Sequence, residues 1–91
     1  MRVVLEPMAG RHVDAVCVID SRCYSRPWSA AQWRTELAAN DRTHLVARDS
    51  DHVVAHAGML RVLDELHVTT VAVDPDHEGK GHGTRLCIEL L

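Results

Sequence analysis

The 91-residue sequence predicts a mixed α/β domain of the α+β kind, in the order β-α-α-β-β-β-loop-α, with a largely antiparallel sheet. Three observations carry that expectation. Apolar residues between Gly10 and Ala39 recur at helical spacing. From Leu45 to Val73 the runs are short, rich in β-branched residues and separated by polar turns. Gly79, Gly81 and Gly83 then alternate in a loop, and helical spacing resumes at Thr84.

The elements follow in order. Val3 to Glu6 reads as a short strand, which Pro7 ends because it has no N–H to donate. From Gly10 to Tyr24 the residues Val13, Val16, Cys17 and Cys23 keep helical spacing, leaving Arg11, Asp14 and Arg22 to solvent. Ser25-Arg26-Pro27-Trp28-Ser29 interrupts that helix. Ser29 and Gln32 form a capping box that satisfies orphan donors at a helix start. A second helix then runs from Ala30 to about Ala39, with Trp33 and Leu37 one turn apart on its inner face, and Asn40-Asp41-Arg42 closes it. Leu45 to Arg48 and Val53 to Val62 read as a hairpin across Asp49-Ser50-Asp51. After a turn at Leu63-Asp64-Glu65, Leu66 to Val73 is a further strand, stopped by Asp74-Pro75-Asp76. In the last helix Leu86, Leu90 and Leu91 are the candidate inner residues.

Composition excludes several classes. At 46% hydrophobic and 25% charged the chain is a folded domain or part of one, too short for two. No apolar run approaches the roughly 18 residues of a membrane helix. The opening MRVVLEP reaches Glu6 and Pro7 too soon for a secretory signal. A net charge of −3 offers no basic footprint for nucleic acid. With no Phe, the core must be built from Val, Leu, Ala, Ile and Met. The odd count of cysteines, Cys17, Cys23 and Cys87, lacks CxxC spacing and reads as free buried thiols in a reducing cytoplasm. Glu89-Leu90-Leu91 carries no closing Gly, Asn or basic residue. The expectation is that the chain is cut inside an element, so that residues 1–91 form a single partial domain.

The glycine loop holds the chemistry. Glycine permits positive φ and lets a ligand approach the backbone. The first turn of a helix offers free N–H groups and the positive end of a dipole, which together cradle phosphate. Lys80 adds a cation at the rim. A nucleotide P-loop fails, because Lys80 is followed by Gly81 and not by Ser or Thr. A dinucleotide fingerprint fails, because Gly81-His82-Gly83 continues Thr84-Arg85-Leu86 without the third glycine. The remaining phosphate reading is a coenzyme A pyrophosphate loop, R/Q-x-x-G-x-G/A.

Here the sequence resembles a known family. Val71-Ala72-Val73-Asp74-Pro75-Asp76 followed by Gly79-Lys80-Gly81-His82-Gly83 is similar to motif A of the GNAT family of N-acetyltransferases. Pro27-Trp28-Ser29 resembles the start of the second helix in bacterial ribosomal-protein-alanine N-acetyltransferases, and Asp64-Glu65 fits the same branch. The sequence departs from motif A at Glu78, where the family has Arg or Gln.

The resemblance implies the N-terminal part of the GNAT acyl-CoA N-acyltransferase fold, a single partial acetyltransferase domain over residues 1–91. It implies acetyl-CoA as co-substrate, held at Val71, Ala72 and Val73 by its acetyl end and wrapped at the pyrophosphate by Gly79, Lys80, Gly81, His82, Gly83 and Thr84. The partners implied are acetyl-CoA and an amine acceptor, either a protein N-terminus or a small molecule. No nucleic acid or membrane is implied. In that branch the general-base Glu and the general-acid Tyr lie beyond the part matched here, so no catalytic residue is assigned. A chain of this kind that at most binds coenzyme A is the other expectation.

His67 is the one base candidate on the strand itself. Period two would place it on one face with Thr69, Val71 and Val73. A partly exposed histidine without a role is the plainer reading. Metal chemistry is disfavoured: His77-Glu78 to His82 is one residue too long for HExxH, and glycines break the helix that motif needs. His52 and His56 are expected to share a strand face, which makes two ligands and not a site.

Overall fold

The computed structural model describes residues 3–79, 81, 85, 86 and 88. Strand β1 spans Val3–Pro7, followed by a 3-10 turn at Gly10–His12, helix α1 at Val13–Cys23 and helix α2 at Ala30–Ala38. Strands β2 (Arg42–Asp49), β3 (His52–Val62) and β4 (Glu65–Val73) follow, then a 3-10 turn at Pro75–His77. Arg85, Leu86 and Ile88 are helical. The strands lie in the order β1-β2-β3-β4, each antiparallel to the next, so among the described residues β1 and β4 are the edges.

Two cores clothe the sheet. On one face Met8, Val13, Val16, Trp33 and Val46 are buried together, with Cys17, Ala30, Leu37 and Val53 against them. On the other face Ala47, Ala55 and Ala57 lie beside Val54, and Leu86 packs onto them with no exposed surface. Alanine side chains leave room for the helix that carries Leu86 to come close. Its burial contributes about 2 kcal/mol. Covered on both faces, β3 is buried continuously from Val54 to Met59.

Helix starts are chemically specified. Ser29 Oγ accepts from Gln32 N at 3.1 Å and Ser29 N donates to Gln32 Oε1 at 2.8 Å, the capping box expected from sequence. At the first helix His12 Nδ1 accepts from Ala9 N at 2.9 Å, and its Nε2 meets Glu6 Oε1 at 3.0 Å. The helix expected from Gly10 therefore opens with a 3-10 turn, and the α-helix begins at Val13.

Other expectations need correction. Strand β2 starts at Arg42, not Leu45, because Thr43 and His44 pair with Met59 and Gly58. Its polar first residues are useful there: Arg42 Nε and His44 Nε2 reach Glu36 Oε1 of α2 at 2.8 and 3.3 Å. Cys23 is exposed and Cys17 half-buried, so these thiols are not both core residues, and Cys87 lies outside the described residues. Two bulges also break strict alternation. Ala47 pairs with Ala55 and Arg48 with Val53, which leaves Val54 as the extra residue. His52 and His56 consequently fall on opposite faces; His52 is exposed and His56 fully buried. In β4, Thr70 pairs with Gly58 and Val68 with Met59, so Thr69 is the extra residue.

Candidate active site

The end of β4 lies at the edge of the sheet among the described residues. Asp74 N donates to Val54 O at 2.8 Å, which makes the enclosed Ala55–Val73 pair a non-hydrogen-bonded one. Val73 therefore turns its N–H and C=O away from β3, as does Val71 two residues earlier. Ala72 is buried and turns its own groups inward to His56. Two side chains from the end of α1 confirm this geometry. Cys23 Sγ donates to Val73 O at 3.3 Å, and Tyr24 Oη donates to Val71 O at 3.1 Å while lying 3.2 Å from Thr70 Oγ1. Partial desolvation raises the pKa of the exposed Cys23 thiol, with Asp20, Glu78 and Asp74 adding to the effect, so this sulfur is held as a thiol that can donate.

The turn after β4 is fastened to α1. Asp74 caps it, accepting from Asp76 N through Oδ1 at 3.0 Å and from His77 N through its carbonyl at 2.8 Å. Arg22 Nη1 donates to Asp74 Oδ1 at 2.7 Å and to Asp76 Oδ2 at 3.3 Å, and Nη2 to Asp76 Oδ1 at 3.4 Å. That guanidinium holds the Asp76 carboxyl below the usual carboxylate range. Gly79 and Gly81 follow at φ +82° and +77°, the left-handed region that excludes most side chains. A Cβ at either would meet nothing within 4 Å, so backbone conformation and not crowding selects glycine. Gly81 O then accepts from Arg85 N at 3.0 Å, closing a helical turn, and Arg85 Nη1 donates to Val3 O at 3.2 Å. Glu78 is exposed. Lys80, His82, Gly83 and Thr84 lie outside the described residues.

A pocket of about 240 Å³ opens beside this edge, between the end of α1, the α1–α2 connection and β4. Its lining includes Asp20, Tyr24, Arg26, Trp28, Thr69 and Thr70. Asp20 is almost wholly buried: Oδ1 lies 2.7 Å from His56 Nε2, and Oδ2 accepts from Trp33 Nε1 at 3.0 Å. The Trp33 ring stands edge-on to Trp28, His44 and His56 at centroid distances of 4.9, 5.3 and 5.3 Å. Sequence reasoning missed Asp20 and paired His56 with the wrong partner. The available signal was an acid on the inner stripe of α1, four residues after Val16 and seven after Val13.

His67 is placed elsewhere. The Thr69 bulge puts it on the opposite face from Val71 and Val73, and its exposed ring bonds Glu65 Oε2 at 3.1 Å. Among the described residues no three metal-ligating side chains converge.

Residues 13–91 match the family model described as Acetyltransferase (GNAT) family. An uncharacterised protein of Mycobacterium leprae is 35% identical over 95 residues, which covers 98% of this chain and 26% of that protein. The fold is similar to that of the ribosomal-protein-S18-alanine N-acetyltransferase of Escherichia coli, with a TM-score of 0.85 at 24% identity over 98% of this chain and 57% of that one. It is also similar to the PaiA N-acetyltransferase of Thermoplasma acidophilum, solved with coenzyme A, with a TM-score of 0.86 at 12% identity over 99% of this chain and 70% of that one. The chain thus spans about a quarter of the curated relative and somewhat over half of the Escherichia coli enzyme.

Proposed function

Since the chain belongs to the acetyltransferase (GNAT) family, we propose that it serves acetyl transfer from acetyl-CoA to a primary amine, and that the amine is the N-terminal alanine of a ribosomal protein in the cytoplasm. The observation that carries this is the run from an outward-facing strand end, through left-handed glycines, into a helical turn. Val71 and Val73 offer N–H groups to the thioester carbonyl, with Ala72 packed between them. Gly79, Lys80, Gly81, His82, Gly83 and Thr84 surround the pyrophosphate. Acetyl-CoA supplies an activated acyl group with a thiolate leaving group. The chain contributes position and backbone donors aimed at the carbonyl oxygen where negative charge develops. The acceptor nitrogen must reach it uncharged, because an ammonium has no lone pair for attack. Support for the ribosomal acceptor is Pro27-Trp28-Ser29 with Asp64-Glu65, together with the likeness to the Escherichia coli enzyme.

Calorimetry with coenzyme A tests the donor side. Wild type is expected to bind, and Gly81→Val to lose binding, since valine is strained at φ +77°. Mass spectrometry after incubation with acetyl-CoA tests the acceptor, using a peptide with N-terminal alanine against a panel of small amines. Equal coenzyme A affinity for wild type and Gly81→Val would refute the loop assignment. Acetylation of small amines and not the peptide would refute the acceptor.

A further inference from the structure

We propose that Asp20, on the floor of the pocket beside β4, is the seat of the acceptor's ammonium group, and that the pocket selects a singly charged primary amine with a small side chain. This rests on the acetyl-transfer reading and adds a residue to it.

The argument starts from the carboxylate. Asp20 has 4% of its side chain exposed, and its partners are an indole N–H and an imidazole nitrogen. No Arg or Lys pairs with it among the described residues. A carboxylate can accept about four hydrogen bonds, and two are made here. A buried acid so placed gains from a cation that brings its own donors. His56 behind it has an Nδ1 with no hydrogen-bond partner, so Nε2 toward Asp20 is its bonded nitrogen. The polar cluster is therefore built around Asp20, which lines the pocket.

The walls then define the ligand. Trp28 and Trp33, T-shaped at 4.9 Å between centroids, form an aromatic wall of the pocket. A volume of about 240 Å³ accommodates an amine with a short side chain. Arg26 is the other charged residue of the lining. It repels a second positive charge and can donate to the carbonyl that follows a peptide's N-terminal residue. Tyr24 belongs to both sites: it lines the pocket, and its hydroxyl donates to Val71 O. Tyr24 thus links the pocket to the edge that faces the thioester.

The chain's two tryptophans both line this pocket, so intrinsic fluorescence reports on its occupancy. The probes are an alanine-leading tripeptide, the same peptide N-acetylated, and spermidine. For wild type, the free peptide is expected to bind roughly tenfold or more tightly than the acetylated one, as for a charge-assisted bond to a buried group. Spermidine should bind less tightly than the free peptide. Asp20→Asn, which keeps the shape, should erase the preference between the two peptides. If Asp20→Asn does not fold, Thr69→Phe decides: it narrows the pocket from an exposed wall position and should abolish the free-peptide signal. Equal affinity of wild type for both peptides would overturn the proposal. So would a preference that survives Asp20→Asn, or free-peptide binding that survives Thr69→Phe. Coenzyme A calorimetry on the same samples separates the two readings. Coenzyme A binding without peptide discrimination sinks the amine seat alone, whereas peptide discrimination without coenzyme A binding sinks the transfer reading and leaves the seat standing.

Discussion

Substituting Gly58 by alanine probes the junction between the buried cluster and β4. Gly58 lies in β3 opposite His44 of β2 and Thr70 of β4. A methyl group there would overlap Nδ1 and Cε1 of the His44 ring and approach Thr69 Oγ1 to 3.2 Å. The ring has little room to yield. It is 2% exposed, reaches Glu36 Oε1 at 3.3 Å and stands T-shaped to the Trp33 ring at 5.3 Å between centroids. Overpacking of this kind costs about 2 kcal/mol. For a domain of this size that lowers the melting temperature by about 8–16 °C. Thermal melts by circular dichroism and tryptophan fluorescence give the measurement. The double variant Gly58→Ala/His44→Ala should recover at least about 1 kcal/mol relative to the sum of the single changes, because both act on one contact. Wild-type melting of Gly58→Ala, or strict additivity in the double variant, would refute the packing argument.

Burial pushes the His44 pKa below the ordinary histidine value, against a raising contribution from Glu36. The fold therefore favours the neutral ring: its stabilising contribution is complete above the unfolded value of about 6.5 and is lost as pH falls through the lower folded value. Melting temperature should drop on acidification from about pH 7 to 5, and His44→Gln should flatten that profile. Arg22→Ala unfastens the turn before the glycines and should weaken coenzyme A binding with little change in melting temperature, since the Arg22 side chain is 40% exposed; calorimetry at low and high salt reads it. Tyr24→Phe removes the donor to Val71 O and should slow acetyl transfer to a peptide amine more than it weakens coenzyme A binding, a split that steady-state kinetics resolves.

The element order was legible because local signals agree with it. The capping box at Ser29 and Gln32, the turns at Ser50 and Leu63 and the Asp74-Pro75 stop are short-range chemistry, and each stands where the sequence puts it. What escaped depends on pairing across the sheet. The Val54 and Thr69 bulges are set by partners in neighbouring strands, and each reverses the face of the residues beyond it. That is why His52 separates from His56, and His67 from Val71. The glycine loop was visible from spacing alone, and Gly79 and Gly81 do occupy left-handed conformations. The Asp20–His56 contact joins residues 36 positions apart, and no local pattern encodes it.

The last turn of α1 organises the whole site. Asp20 floors the pocket, Arg22 fastens the turn before the glycines, and Cys23 and the following Tyr24 cover the carbonyls of Val73 and Val71. Helical geometry accounts for the division. Asp20 lies on the inner stripe with Val13 and Val16, Cys23 stands one turn further along that stripe, and Arg22 falls to its side, where the helix ends. Occupying those two carbonyls has an electrostatic consequence. At Val71 and Val73 the edge then presents mainly N–H groups, so a carbonyl oxygen gaining negative charge would meet donors, with the neighbouring acceptors already bonded. One short segment thereby couples the amine pocket to the strand edge, and a shift of the helix end would move both together.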